Sequence, residues 1–234
     1  MSQHVLLNNV EHAHLRIDTR RSAELGDDVM LAPTFPGEFR NLQSYYPIVF
    51  RATDAGFQPY ALLGLRAGEN LFLEDDRWDA AYLPLAIERQ PFLIGSNGEQ
   101  AMIHVDLEHP RARAGSGEAL FREHGGTTAY LDRIASVLRT LHDGLRVVPD
   151  FVEALRRHGL LAPFSLDVRL DDGTDNRLAG FHAIDEDRLR ELDAAALGEL
   201  HQAGHLEPVY MAVASLGQLR GLIERMNRRR AAGH

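Results

Sequence analysis

Three spacings bring together residue types that could do chemistry. His104-Val105-Asp106 puts an imidazole and a carboxylate two positions apart. On a strand both would project from one face, as two ligands of a facial triad for non-haem iron would. The third ligand would be a distant histidine, His142 or His182. A solvent-facing strand gives the same alternation without any metal. His201 and His205 have the spacing of two helical zinc ligands, but no glutamate follows His201 to act as the base. Gly204 also reads as a helix stop between them. His124-Gly125-Gly126 is similar to an oxyanion-hole segment, yet no GxSxG elbow supplies a nucleophile. Walker A and GxGxxG motifs are absent. These motifs assign no catalytic residue, metal ligand or cofactor. The balance leans away from an enzyme, and the iron-dependent oxygenase built on His104 and Asp106 is the alternative.

A second group suggests contact rather than reaction. Tyr46, Arg66, Glu69, Asn70, Trp78, Tyr82, Arg89 and Phe92 fall within residues 41–94, together with Tyr45 and the only tryptophan. Aromatics with a polar tip, mixed with arginine, are the usual residues of interface hot spots and ligand walls. The expected partner is a protein, a peptide or a small molecule. The plainer reading makes the same aromatics core, with Arg66 or Arg89 at the rim.

Composition narrows the classes. The chain has 234 residues and no cysteine, so disulfides and thiolate chemistry are excluded. It also has no lysine, which removes Schiff-base catalysis; all 25 basic residues are arginine. A formal net charge of −9 argues against a broad nucleic-acid footprint. Arg225, Arg228, Arg229 and Arg230 are a local exception, explained by a helix C-terminus. No apolar run approaches the ~20 residues of a membrane span. The opening residues have no basic lead-in and a short apolar stretch, unlike a signal peptide, so a cytoplasmic location is expected. The residues leave room for a homodimer.

The elements that would position these residues form one expected domain over 1–234. Residues 1–40 form an N-terminal arm with short strands at Val5–Leu7 and Leu15–Ile17. Residues 41–110 are strand-rich: a hairpin from Tyr46–Ala52 and Gln58–Leu65, a strand at Asn70–Leu73, a short helix at Leu85–Gln90, a turn at Ser96-Asn97-Gly98, and an alternating strand at Ala101–Leu107. Residues 127–234 hold helices with a hairpin at 164–184. A helix starts at Thr127 or Thr128 and stops at Gly144. Another runs from Asp150 to His158. Asp185 and Asp193 each cap a helix. Glu207–Ala214 reads as a strand, and Ser215 caps the final helix. This order predicts an α+β fold, mainly an antiparallel sheet with a helical C-terminal half packed against it.

The ordered combination of several short stretches carries a family resemblance. Tyr60–Arg66, Gly68–Leu73, Trp78–Pro84 and Glu88–Phe92 are followed by Gly117–Phe121, Gly180–Asp185, Gly204–Tyr210 and Ser215-Leu216. Together they resemble the bacterial SapC family along nearly the whole chain. The family name derives from a surface-layer system, and no defined activity accompanies its motifs. The resemblance implies an accessory role beside TonB-dependent receptors, halogenase-like and cupin-like proteins, in uptake or modification. It does not require a histidine at His104.

Overall fold

The computed structural model describes residues 3–54, 56–74, 76–97 and 100–233, with the side chains of 96, 97, 100 and 101 left aside. The chain falls into two compact units interleaved in sequence. The first comprises Met1–Asp28, Leu73–Asp79 and Leu85–Asp143; the second comprises Val29–Phe72, Ala80–Pro84 and Gly144–His234. The fold is α+β, with antiparallel sheets and a helical C-terminal half.

In the first unit, strand Gln100–Asp106 lies between His4–Leu6 and Phe92–Asn97, both antiparallel to it. The alternation of Ile103 and Val105 with Met102, His104 and Asp106 sets the register. Val105 is buried, with Ile103 packed against the same core. That core gathers Ile17, Phe92, Val105, Leu120, Leu131, Ile134 and Leu138. The last three come from the helix Ala129–Arg146, whose buried Leu131, Ile134, Val137, Leu138 and Leu141 recur at helical spacing. Thr128 receives the Leu131 amide at 3.3 Å, which satisfies one of the helix's orphan donors.

In the second unit, five antiparallel strands run in the order Leu161–Arg169, Asp175–Ile184, Ile48–Thr53, Gly56–Leu62, Leu31–Pro33. Helix Val148–Arg157 brings Phe151 against Phe39 and Phe50, at ring-centroid distances of 6.0 and 6.4 Å. Asp185 accepts from the Arg188 amide and Asp193 from the Ala196 amide, so both aspartates are the helix caps the sequence indicates.

Five local expectations are corrected. Residues 206–215 are a helix, Leu206–Ser215, not a strand. Val209, Tyr210 and Val213 favour strands, but burial at Pro208, Val209, Met211, Ala212 and Ser215 follows a helical period. Ser215 is accordingly no cap: its hydroxyl donates to the Ala212 carbonyl and accepts from the Ile48 amide. Gly144 does not stop its helix, which continues to Arg146. A Cβ there would lie 2.2 Å from the Phe35 ring, so the glycine serves a close approach. Asn70–Leu73 is not a strand; only Leu73–Glu74 pairs, with Arg77–Trp78. Ser96 and Asn97 continue their strand, while Gly98 lies outside the described residues.

Candidate functional site

The residues singled out from the sequence divide between the units. In the second unit Tyr46 is fully buried, its ring 4.6 Å from that of Phe72, and its hydroxyl donates to the Tyr82 carbonyl. Half-buried Tyr82 donates its own hydroxyl to Glu38 at 3.1 Å, and Thr34 donates to the same carboxylate at 2.6 Å. Glu38 is itself buried, and these two donors stabilise a carboxylate taken out of water. Asn70 is buried and accepts from the Phe72 amide at 3.0 Å, while its carbonyl accepts from Arg229 at 2.8 Å. Arg225 stands over the Phe72 ring at 4.5 Å. Glu69 accepts from the Leu65 amide. Arg66 is exposed and grips the Asn176 side-chain oxygen with Nε and Nη2.

In the first unit, half-buried Trp78 lies opposite Leu73. Phe92 is in the core, 6.4 Å from the Tyr130 ring. Arg89 donates to the Phe92 carbonyl. Burial alone holds its guanidinium below the usual arginine range, because no carboxylate pairs with it among the described residues. It is half-buried.

The most concentrated buried charge in this unit lies at residues that sequence reasoning did not single out. Arg111 is 1% exposed and Asp27 is 0% exposed, and they form an ion pair. Arg111 follows Pro110 in the short helix Pro110–Arg113, which is capped by His109: its Nδ1 accepts from the Arg111 amide at 3.2 Å. One terminal nitrogen of Arg111 donates to the carbonyls of Asp18 and Arg20, at 2.8 and 2.6 Å. The other donates to Asp27, while Nε is buried with no acceptor. Asp27 also accepts from the Ser22 amide at 3.1 Å and meets Arg21 at 3.5 Å. Asp18 is engaged by Arg20, at 2.7 Å.

Electrostatics follow this geometry. Burial, then the neighbouring Arg111 charge, pushes Arg21 below its usual range. Burial, with Arg111 next, also lowers His109, which favours the neutral ring that accepts the Arg111 amide. The hydrogen bond from Arg20 lowers Asp18. Burial pushes the Tyr130 phenol up to about 12, although Arg111 and Arg21 oppose it, so it keeps its proton. At Asp106 burial raises the pKa, but amides of Gln3 and Glu108 donate to the carboxylate and bring it below the usual value.

His104 and Asp106 do share a strand face. His104 packs over Gly95, where a Cβ would meet its ring at 2.3 Å, and Asp106 is occupied by amides and by His4 at 3.7 Å. Among the described residues no group of three or more histidine, aspartate and glutamate side chains could hold a metal ion. His142 and His182 therefore do not complete a triad there.

A family model for SapC matches residues 7–222. The chain belongs to the SapC family. The match spans both units, so the Arg111–Asp27 cluster and the Tyr46–Tyr82 contact both lie within the SapC region. No curated protein and no solved structure matches this SapC chain. No helix among its described residues is long and apolar enough to cross a membrane.

Proposed function

We propose that this SapC family chain is an accessory binding protein that holds a protein, peptide or small-molecule partner. Each unit contributes its own contact groups from residues 41–94. In the first unit these are Trp78 and Arg89, supported by buried Phe92. In the second they are Arg66, Glu69 and Tyr82, supported by buried Tyr46 and Asn70.

The observation that carries the reading is Arg89. Desolvating a guanidinium without a paired acid is costly, yet Arg89 is half-buried with only a backbone carbonyl as its side-chain partner among the described residues. A group held in that state is suited to meet an acceptor brought by another molecule. Arginine and tryptophan are also the residue types that dominate interface energetics. The partner would belong to a TonB-linked uptake or surface-associated system, a reading that rests on the family resemblance alone.

Affinity capture from extracts of the native host, read by native mass spectrometry, tests the reading. Wild type should retain a stoichiometric partner that Trp78→Ala or Arg89→Ala loses, with circular dichroism unchanged. Retention by both folded variants would contradict it.

A further inference from the structure

The buried cluster of the first unit holds more positive charge than its acids neutralise. Arg21 and Arg111 meet one carboxylate, Asp27, and the neighbouring Asp18 is taken by Arg20. With Asp18 paired to the exposed Arg20, two buried guanidiniums, Arg21 and Arg111, share the one buried carboxylate of Asp27, and one positive charge is left over there. The surplus falls on Arg21. Asp27 remains held by Arg111 and the Ser22 amide without it. Arg21 reaches Asp27 only at 3.5 Å, and its guanidinium has no other acceptor among the described residues. Its side chain is 16% exposed, whereas Arg111 and Asp27 are sealed. Arg21 is thus the member of the cluster that a solute can reach, and Arg111 lies behind it.

We propose that Arg21, backed by Arg111, is an oxyanion-binding site that takes a carboxylate or phosphate group. The planar guanidinium offers paired N–H donors that match two oxygens of such a group. An arriving anion would neutralise the surplus charge and give Arg21 a closer acceptor than Asp27 does. Asp27 would keep its other donors, so binding leaves no buried carboxylate unpaired. Burial keeps the nearby Tyr130 phenol protonated, so it brings no competing negative charge to Arg21. Arg20 is not an equivalent site. It is 67% exposed and already closes on Asp18 through both Nε and a terminal nitrogen.

This site does not depend on the partner-binding reading, since none of its ligating groups lies within residues 41–94. Thermal unfolding and isothermal titration of the full chain test it. Inorganic phosphate and acetate would be added in separate arms at fixed ionic strength, with chloride as reference. At about ten times the dissociation constant the preferred anion should raise the midpoint by roughly 3–6 °C. The arm giving the larger shift identifies the phosphate or carboxylate source. Arg21→Gln should abolish the shift, while Arg139→Gln, at an exposed position of the helix Ala129–Arg146, should leave it intact. Where Arg21→Gln does not hold its fold, Arg21→Lys replaces it and should weaken binding about tenfold, because the ammonium lacks the fork. No shift in wild type with either anion, an undiminished shift in Arg21→Gln, or unchanged affinity in Arg21→Lys would overturn the proposal.

Discussion

Arg111 and Asp27 are joined across 84 positions of sequence as a fully buried ion pair. The pair fixes residues 18–27 to the helix Pro110–Arg113, because the same guanidinium also binds the carbonyls of Asp18 and Arg20. Removing Asp27 leaves Arg111 buried without its paired carboxylate; removing Arg111 leaves Asp27 only the more distant Arg21 and takes the donor from the carbonyls of Asp18 and Arg20. Asp27→Leu or Arg111→Met should each cost about 3–5 kcal/mol. The double replacement Asp27→Leu with Arg111→Met should cost less than the two single losses together. Urea unfolding of the four proteins measures this, and strictly additive losses would contradict the coupling.

His109 links the same region to pH. Its folded pKa lies below the ordinary 6.5, because burial and then Arg111 disfavour the charged ring. The unfolded chain therefore binds a proton at higher pH than the folded one. The stabilising contribution is present above pH 6.5 and is lost as pH falls from there through the folded value. Asp106 and Asp27 oppose the shift, and Arg89 adds to it. His205 is lowered in the same direction by its own burial, so the diagnostic quantity is a difference. His109→Asn keeps an N-cap acceptor that does not titrate. Its stability should fall less than that of wild type between pH 6.5 and 5, and parallel curves would count against this account.

Ser215 predicts a loss of backbone satisfaction. Its hydroxyl accepts from the Ile48 amide at 2.8 Å in a buried setting. Ser215→Ala strands that N–H and should destabilise by about 1–3 kcal/mol. Hydrogen exchange at the Ile48 amide should accelerate with it. An unchanged urea midpoint would contradict the bond's role.

Gly144 predicts the opposite of helix propensity. Alanine in a helix interior ordinarily stabilises by about 0.5–1 kcal/mol over glycine. Here the added methyl would meet the Phe35 ring at 2.2 Å, so Gly144→Ala should destabilise by about 1–3 kcal/mol. Adding Phe35→Leu should recover part of that loss. A stabilised Gly144→Ala would show that the ring moves aside freely.

What the sequence made legible was local. The hairpin ending in Leu161–Arg169 and Asp175–Ile184 follows from its alternation and its Asp/Gly turn, and the Asp185 and Asp193 caps follow from residue chemistry alone. The alternating strand around Val105 was equally readable. Helix Leu206–Ser215 was not, because its β-branched and aromatic residues contradict a period that only tertiary burial reveals. Gly144 carries the usual sign of a helix end, and only the Phe35 ring explains its position inside one. Among the site residues, the Tyr46–Tyr82 contact links groups 36 positions apart within the stretch already favoured. The Arg111–Asp27 pair had no such signal: an arginine after His-Pro and an aspartate after Gly26 resemble the other charged turns of an arginine-rich chain.

Residues 41–94 are proposed to supply the contacts to a partner. The most direct measurement is amide hydrogen exchange on the purified complex against the free chain, read by mass spectrometry. Peptides covering Arg66–Asn70 and Trp78–Arg89 should gain protection on binding, and that gain should vanish in Trp78→Ala and Arg89→Ala. A partner that protects other segments while leaving these amides unchanged would contradict the account.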